Sequence, residues 1–265
     1  MKKIQMQGVP ETMLQTLYAR AAYSGGKDAK FHDDKAVEIV SRMDYDFSSA
    51  GKDAMMSKGV IARTILLDGM VGDFLKENPR GTVVNIACGL DTRAYRLNIS
   101  ESVRWYNLDL PETIEVRRLF LQEDGHISMI AKSAMDEGWA EEIEETGGRV
   151  LVIIEGLSMY LLEQDVKKIL AIISGRFNSA EVIMEVMSPW VVRNVKEKSI
   201  EKTQAKFTWG VKSGRELIGI APSYRWIRDV SLAEGMKIIM PIYRLVGWIP
   251  MVKNISNKLV VLKKN

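Results

Sequence analysis

The stretch Thr82-Val83-Val84-Asn85-Ile86-Ala87-Cys88-Gly89-Leu90-Asp91-Thr92-Arg93-Ala94-Tyr95-Arg96-Leu97 constrains this chain more than any other. Its first half is apolar and rich in β-branched residues, as a buried strand requires, and beyond Gly89 the apolar spacing becomes helical. The chain is therefore expected to make a sharp strand-to-helix turn at Ala87-Cys88-Gly89. Small residues there let a ligand approach bare backbone amides and a helix N-terminus. Twenty residues after Gly89 stands Asp109, closing a second strand candidate, Val103-Arg104-Trp105-Tyr106-Asn107-Leu108-Asp109. A carboxylate at the tip of the strand beside such a turn is placed to accept hydrogen bonds from ribose hydroxyls. Turn and acid together favour an adenosine-type ligand over a bare phosphate. A plain β-turn-α corner remains the alternative for the turn taken alone.

The rest of the chain alternates in the same manner. Helical periodicity runs from Glu11 to about Phe47, interrupted at Ser24-Gly25-Gly26, and again from Met55 to Lys76. These helices precede the first strand and are expected to cap the ligand edge. After Asp109 the pattern predicts a helix over 111–122, a strand over 127–131, the loop Lys132-Ser133-Ala134-Met135-Asp136 and a helix over 137–145. Arg149-Val150-Leu151-Val152-Ile153-Ile154 is apolar after its first residue, so it reads as a strand covered on both faces. A helix over 164–173 and strands over 180–187, 226–230 and 258–262 complete seven strands. The expected fold is α/β, a doubly wound, mostly parallel seven-stranded sheet of Rossmann-like type with an N-terminal helical cap and an inserted lid. One domain is expected, with the cap over 1–80, a cofactor-binding core over 81–187, the lid over 188–225 and the last two strands over 226–265.

Composition narrows the function classes. A formal charge of +3 over 265 residues, with no basic stripe interleaved with aromatics, implies neither nucleic acid nor an anionic membrane as partner. No apolar run is long enough to cross a bilayer, and the first residues lack the apolar segment of a signal peptide. One cysteine, Cys88, excludes an internal disulfide and fits a reducing cytoplasm. Two histidines, His32 and His126, and the lack of ligand spacing argue against a metal site.

Three ordered motifs carry a resemblance. Asn85-Ile86-Ala87-Cys88-Gly89-Leu90-Asp91-Thr92-Arg93, Leu108-Asp109-Leu110-Pro111 and Glu155-Gly156-Leu157-Ser158-Met159-Tyr160 resemble the successive motifs of the leucine carboxyl methyltransferase family. Tyr18-Ala19-Arg20-Ala21, Asp44-Tyr45-Asp46-Phe47 and Phe207-Thr208-Trp209-Gly210 fit its bacterial branch of small-molecule O-methyltransferases related to polyketide-tailoring enzymes. The resemblance implies a class I fold and S-adenosyl-L-methionine as methyl donor, released as S-adenosyl-L-homocysteine. The first position of the turn, commonly Gly in that family, is Ala87 here.

With the ligand outside the carboxyl ends of the strands, successive strand tips supply the site. Ala87, Cys88 and Gly89 offer amides to the amino-acid end, Asp109 and Leu110 meet the ribose, and Ala134, Met135 and Asp136 flank the adenine. Glu155 and Gly156 face the methionine portion and its ammonium. Arg63, by the resemblance, helps hold the methionine carboxylate, whereas a guanidinium merely snorkelling to the surface is the competing reading. Glu155 competes with a helix-capping role, Asp136 equally so, and Cys88 reads better as a buried small residue than as a nucleophile. Methyl transfer from a sulfonium makes a general base optional. Tyr160, Tyr18, Tyr243 and either histidine, His32 or His126, are candidates for that role, with ordinary packing or a surface position as the alternative, and Trp190, Phe207, Trp209, Tyr224 and Tyr243 would suit a flat or apolar acceptor. Methylation of a small molecule at oxygen is the leading expectation. Transfer to nitrogen, to sulfur or to a carboxyl group such as a protein terminus, and a non-catalytic S-adenosylmethionine-binding module, are the rivals.

Overall fold

The computed structural model describes residues 2–3, 9–50, 53–123, 125–145, 147–194, 206–247 and 249–265. Seven strands form the central sheet: β1 (Thr82–Ile86), β2 (Arg104–Asp109), β3 (Ile127–Ala131), β4 (Val150–Ile154), β5 (Ala180–Val186), β6 (Tyr224–Ser231) and β7 (Lys258–Lys264). Their order is β3-β2-β1-β4-β5-β7-β6, and β7 alone runs antiparallel to its neighbours. The order reverses between β1 and β4, so the ligand crevice of a doubly wound sheet opens there. The seven anticipated strands are all present, with ends displaced by a residue or two.

Three helices precede the sheet: α1 (Val9–Ser24), α2 (Asp34–Arg42) and α3 (Ala54–Glu77). Asp33 caps α2 by accepting from Ala36 N, and Asp53 caps α3 by accepting from Met55 N and Met56 N. Between β1 and β5 lie α4 (Arg93–Arg96), α5 (Pro111–Arg118), α6 (Gly138–Glu141) and α7 (Glu163–Arg176). The helices read from sequence over 111–122 and 137–145 are thus shorter, because Phe120 and Leu121 turn inward to pack with α1 and α2, and α6 lasts one turn. Beyond β5 come α8 (Pro189–Asn194) and α9 (Gly214–Ile220), and between β6 and β7 come α10 (Leu232–Ile239), α11 (Tyr243–Val246) and α12 (Pro250–Ile255). The last three were not anticipated. Part of the expected lid, residues 195–205, lies outside the described residues.

Alternation along the strands sorts the core into two layers. Val84, Ile86, Val150, Val152 and Ile154 pack on one face with Leu170, Phe177 and Trp139. Val83, Trp105, Leu151, Ile153 and Ile183 pack on the other with Leu67, Val71 and Phe74 of α3. The second face changes character near the ligand edge. Two residues beyond Val83, Trp105, Ile153 and Ile183, on the same side of their strands, stand Asn85, Asn107, Glu155 and Glu185. Neighbouring strands therefore present amides and carboxylates side by side, under α3 and α4. No helix among the described residues is long and apolar enough to cross a membrane.

Candidate functional site: a cofactor cavity at the switch point

The turn after β1 is built from two left-handed residues, Ala87 at φ 54° and Gly89 at φ 48°. Glycine adopts that conformation freely, while a Cβ raises its energy, so Ala87 is locally strained. A side chain at Gly89 would also press on Met13 Cβ, 3.1 Å away, because α1 lies directly over the turn. Both sides of the Gly89 residue are held. Its N–H donates to Asp109 Oδ2 at 2.7 Å, and its carbonyl accepts from Arg117 Nη1 at 2.9 Å. Asp109 Oδ1 accepts from Leu110 N at 2.8 Å. Burial raises the Asp109 carboxyl above its ordinary value despite these amides.

Across the switch point the chain leaves β4 through Glu155 and Gly156, the latter at φ 65°. Gly156 N donates to Glu185 Oε2 at 2.9 Å. Arg63, from α3, places Nη1 2.7 Å from Glu185 Oε2 and Nε 2.7 Å from Glu155 Oε1. The remaining Glu155 oxygen meets Arg93 Nη2 at 2.8 Å. Arg93, 1% exposed, also binds Asp68 at 2.8 Å and Asp91 at 2.5 Å. Arg96 continues the chain to Asp68 and Asp33, and Arg20 joins Asp33 at 2.9 Å. One buried network thus links α1, α3, α4 and two strand ends. Burial alone would raise its carboxyls. The guanidiniums beside them overcome that effect and hold Glu155 (by Arg63 and Arg93), Asp91 (by Arg93 and Arg96) and Asp33 (by Arg20 and Arg96) below the ordinary range.

A cavity of about 240 Å³ opens between the two turns. Every anticipated cofactor residue except Asp136 lines it: Arg63, Ala87, Cys88, Gly89, Asp109, Leu110, Ala134, Met135, Glu155 and Gly156. Asp136 is not on its wall and caps a turn instead, its Oδ1 accepting from Gly138 N at 2.9 Å. Arg63 does not snorkel; its charge meets Glu155 and Glu185 inside. Cys88 is buried at the cavity wall, and burial pushes its thiol well above the usual value. None of the candidate tyrosines reaches the cavity. Tyr18 stacks on Phe47 at 5.1 Å, Tyr160 packs on Phe207 at 5.5 Å, and Tyr243 opens α11. The expected aromatic acceptor wall is likewise not assembled there. Tyr224 is buried with its hydroxyl on Leu170 O, Trp209 joins the core, and Trp190 is exposed.

The N-terminal helices cover the ligand edge as expected, but sequence reasoning did not single out the residues that α1 contributes to the wall, Thr12, Met13, Thr16 and Arg20. It also missed Asp91 and Asn85, whose side chains meet at 2.9 Å. Arg93 and Asp91 stood within a quoted motif, so a signal existed, but their partners are distant in sequence. The donor set fits S-adenosylmethionine: amides and a carboxylate beside β1, apolar Leu110, Ala134 and Met135 beyond them, and paired charges at the β4 end.

The sheet order, the glycine turn and the acid on the next strand define a class I S-adenosylmethionine-dependent methyltransferase. The model of the leucine carboxyl methyltransferase family matches residues 13–174, and the chain belongs to that family. It is 33% identical over 234 residues to the tetracenomycin polyketide synthesis O-methyltransferase TcmP of Streptomyces glaucescens, covering 88% of this chain and 86% of that one. It is 28% identical over 245 residues to the S-adenosyl-L-methionine-dependent methyltransferase dpfgK of Gibberella zeae, covering 84% and 82% respectively. A crystal structure from Thermobifida fusca, provisionally named a methyltransferase, shares the fold with a TM-score of 0.58 at 12% identity, over 93% of this chain and 94% of that one.

Proposed function

We propose that this methyltransferase moves the methyl group of S-adenosylmethionine to an oxygen atom of a small molecule. The observation that carries the reading is the pair of left-handed turns facing one cavity across the switch point, one carrying Asp109 and the other Arg63 and Glu155. In this reading Asp109 and Leu110 meet the ribose, the backbone of the two glycine turns and the charges of Arg63 and Glu155 border the amino-acid end, and Ala134 and Met135 flank the adenine. The identity to TcmP, an O-methyltransferase of polyketide synthesis, supports oxygen as acceptor atom and a small acceptor. We read the chain as one domain, with the helices of 1–80 and the segment 188–225 covering the core. The lone Cys88 supports a cytoplasmic site of work.

The donor carries its own activation, so the protein has to align sulfur, methyl and acceptor and exclude water. Among the described residues lining the cavity there is no histidine, tyrosine or lysine. The carboxylates there are held by guanidiniums or amides: Glu155 by Arg63 and Arg93, Asp91 by Arg93, Asp109 by Gly89 and Leu110. This favours an acceptor that arrives already ionised, a carboxylic acid, over a hydroxyl that must first lose a proton.

The test is an incubation of the purified enzyme with labelled S-adenosylmethionine and panels of aromatic carboxylic acids, phenols, amines and thiols. The expected product is an oxygen-methylated acid whose label is released by mild alkali, as an ester's is. An alkali-stable ether would retain oxygen and overturn the carboxylate. A product methylated on nitrogen or sulfur would overturn the oxygen acceptor.

A further inference from the structure

Strand β5 is apolar along its buried length except at Glu185, which is 1% exposed. A carboxylate in that setting persists only where its oxygens are matched by donors. Those of Glu185 are matched from three separate parts of the chain. Oε2 accepts from the Gly156 amide at 2.9 Å and from Arg63 Nη1 at 2.7 Å. Oε1 accepts from Asn257 Nδ2 at 3.0 Å, in the segment between α12 and β7. The main-chain carbonyl of Glu185 accepts from the Ser158 hydroxyl at 2.6 Å, so the backbone leaving Gly156 is tied to the same residue a second time. Glu185 is not on the cavity wall, whereas Arg63 and Gly156 are.

We propose that Glu185 is a positioning residue for the cofactor, fixing the Arg63 guanidinium and the Gly156 peptide at the end of the cavity that takes the methionine portion, and is itself oriented by Asn257. The proposal rests on the reading of Arg63 and Gly156 given above. Its physical content is preorganisation. An arginine side chain has many rotamers, and the Nη1 hydrogen bond to Glu185, added to the ion contact with Glu155, restricts it to few. A left-handed glycine has little intrinsic preference for one peptide orientation, so the acceptor that holds its N–H decides how that peptide lies. Asn257 brings in the connection between β6 and β7, which also docks on α3 where Gly235 of α10 meets the Ala62 carbonyl, next to Arg63. The cofactor end is thus braced from behind by residues 122 and 194 positions beyond Arg63 in the chain.

The experiment is calorimetric titration of the full chain and of Arg63→Met, Glu185→Gln and Asn257→Ala with two ligands. One is S-adenosylhomocysteine and the other 5′-methylthioadenosine, which lacks the amino-acid portion. Glu185→Gln is expected to weaken S-adenosylhomocysteine by roughly tenfold while 5′-methylthioadenosine stays within about twofold, the loss of one charged hydrogen-bond acceptor being felt only at the methionine end. Asn257→Ala leaves the Glu185 charge in place and is expected to show the same pattern at about threefold. Parent-like S-adenosylhomocysteine binding by both the Glu185 and Asn257 variants, with affinity lost in Arg63→Met, overturns the positioning role and leaves the Arg63 reading standing. Equal weakening of both ligands by Glu185→Gln or Asn257→Ala also overturns it, since a purely structural role would spare neither. Parent-like binding by Arg63→Met would instead remove the reading on which the proposal rests.

Discussion

The turns that end β1 and β4 solve one structural problem in two ways. Each leaves its strand in a left-handed conformation, and each donates a glycine amide to a carboxylate from the adjoining outer strand: Gly89 to Asp109 of β2, Gly156 to Glu185 of β5. The carboxylates differ in what else they touch. Asp109 is partly exposed, lines the cavity and is held by the Gly89 and Leu110 amides and the Thr113 side chain with no guanidinium bonded to it, and burial raises its pKa. Glu185 is sealed from solvent and joined to a guanidinium and an asparagine amide. A similar hydrogen bond thus serves a group open to a ligand on one side and a brace behind the wall on the other. The β4 side is stiffened by the Arg63 and Arg93 guanidiniums on its carboxylates, the β1 side by its left-handed backbone and by Arg117 on the Gly89 carbonyl.

The largest effect is expected from removing the cation that ties the two sides together. Arg93→Met leaves Asp68, Asp91 and Glu155 short of their shared partner and is expected to destabilise the fold by about 3–5 kcal/mol, read as a lower urea midpoint. On the β1 side, Asp109→Ala frees the Gly89 amide without stranding a buried charge. It should leave the urea midpoint nearly unchanged while weakening S-adenosylhomocysteine roughly 30-fold by calorimetry.

Acid should separate the two sides next. Asp33, Asp91 and Glu155 have folded-state pKa values below those of the unfolded chain, so their contribution is intact above the unfolded values. As pH falls below about 4 the unfolded chain takes up protons that the folded chain refuses, and stability is lost. Asp109 has the opposite sign: its raised pKa makes the folded state the better proton acceptor, so it costs stability as pH rises through that value. Thermal melts between neutral pH and pH 3 should fall steeply at the acid end, and the fall should persist in Asp109→Asn. The smallest effect is expected at Ala87. Replacement by Gly relieves left-handed strain but adds unfolded-state entropy, for a net gain of about 0.5 kcal/mol and a melting temperature higher by roughly 1–2 °C.

The framework was readable in the sequence because its signals are local. An apolar run as short and β-branched as Val150–Ile154 reads as a buried strand, and Gly89 with Asp109 twenty residues later marks the switch-point turn. The strand-tip rule supplied most of the anticipated cavity wall, and the resemblance added the identity of the cofactor and Arg63. What escaped was determined by partners far away in the chain. Nothing adjacent to Arg63 shows that its anions are Glu155 and Glu185, the latter 122 residues distant. Asp136 followed a strand as convincingly as Asp109 did, yet its carboxylate turned back to Gly138 and left the cavity. The tyrosines failed as candidates for a related reason: an aromatic ring is placed by whichever apolar surface it covers, and Tyr18 found Phe47 first. Helices α10 to α12 are short, and propensity over so few residues is a weak signal.

The change from apolar to polar along one face of the sheet takes place within a single step of two residues, about 7 Å of strand. Sliding β1, β2 or β5 by two positions against its neighbours would push Asn85, Asn107 or Glu185 into the hydrocarbon layer beneath α3. A slip by one would send them through to the opposite layer. Correct strand alignment and the polar end of this sheet face are therefore a single event for this chain, and a misaligned folding intermediate is penalised by the amides and carboxylates that it would bury without partners.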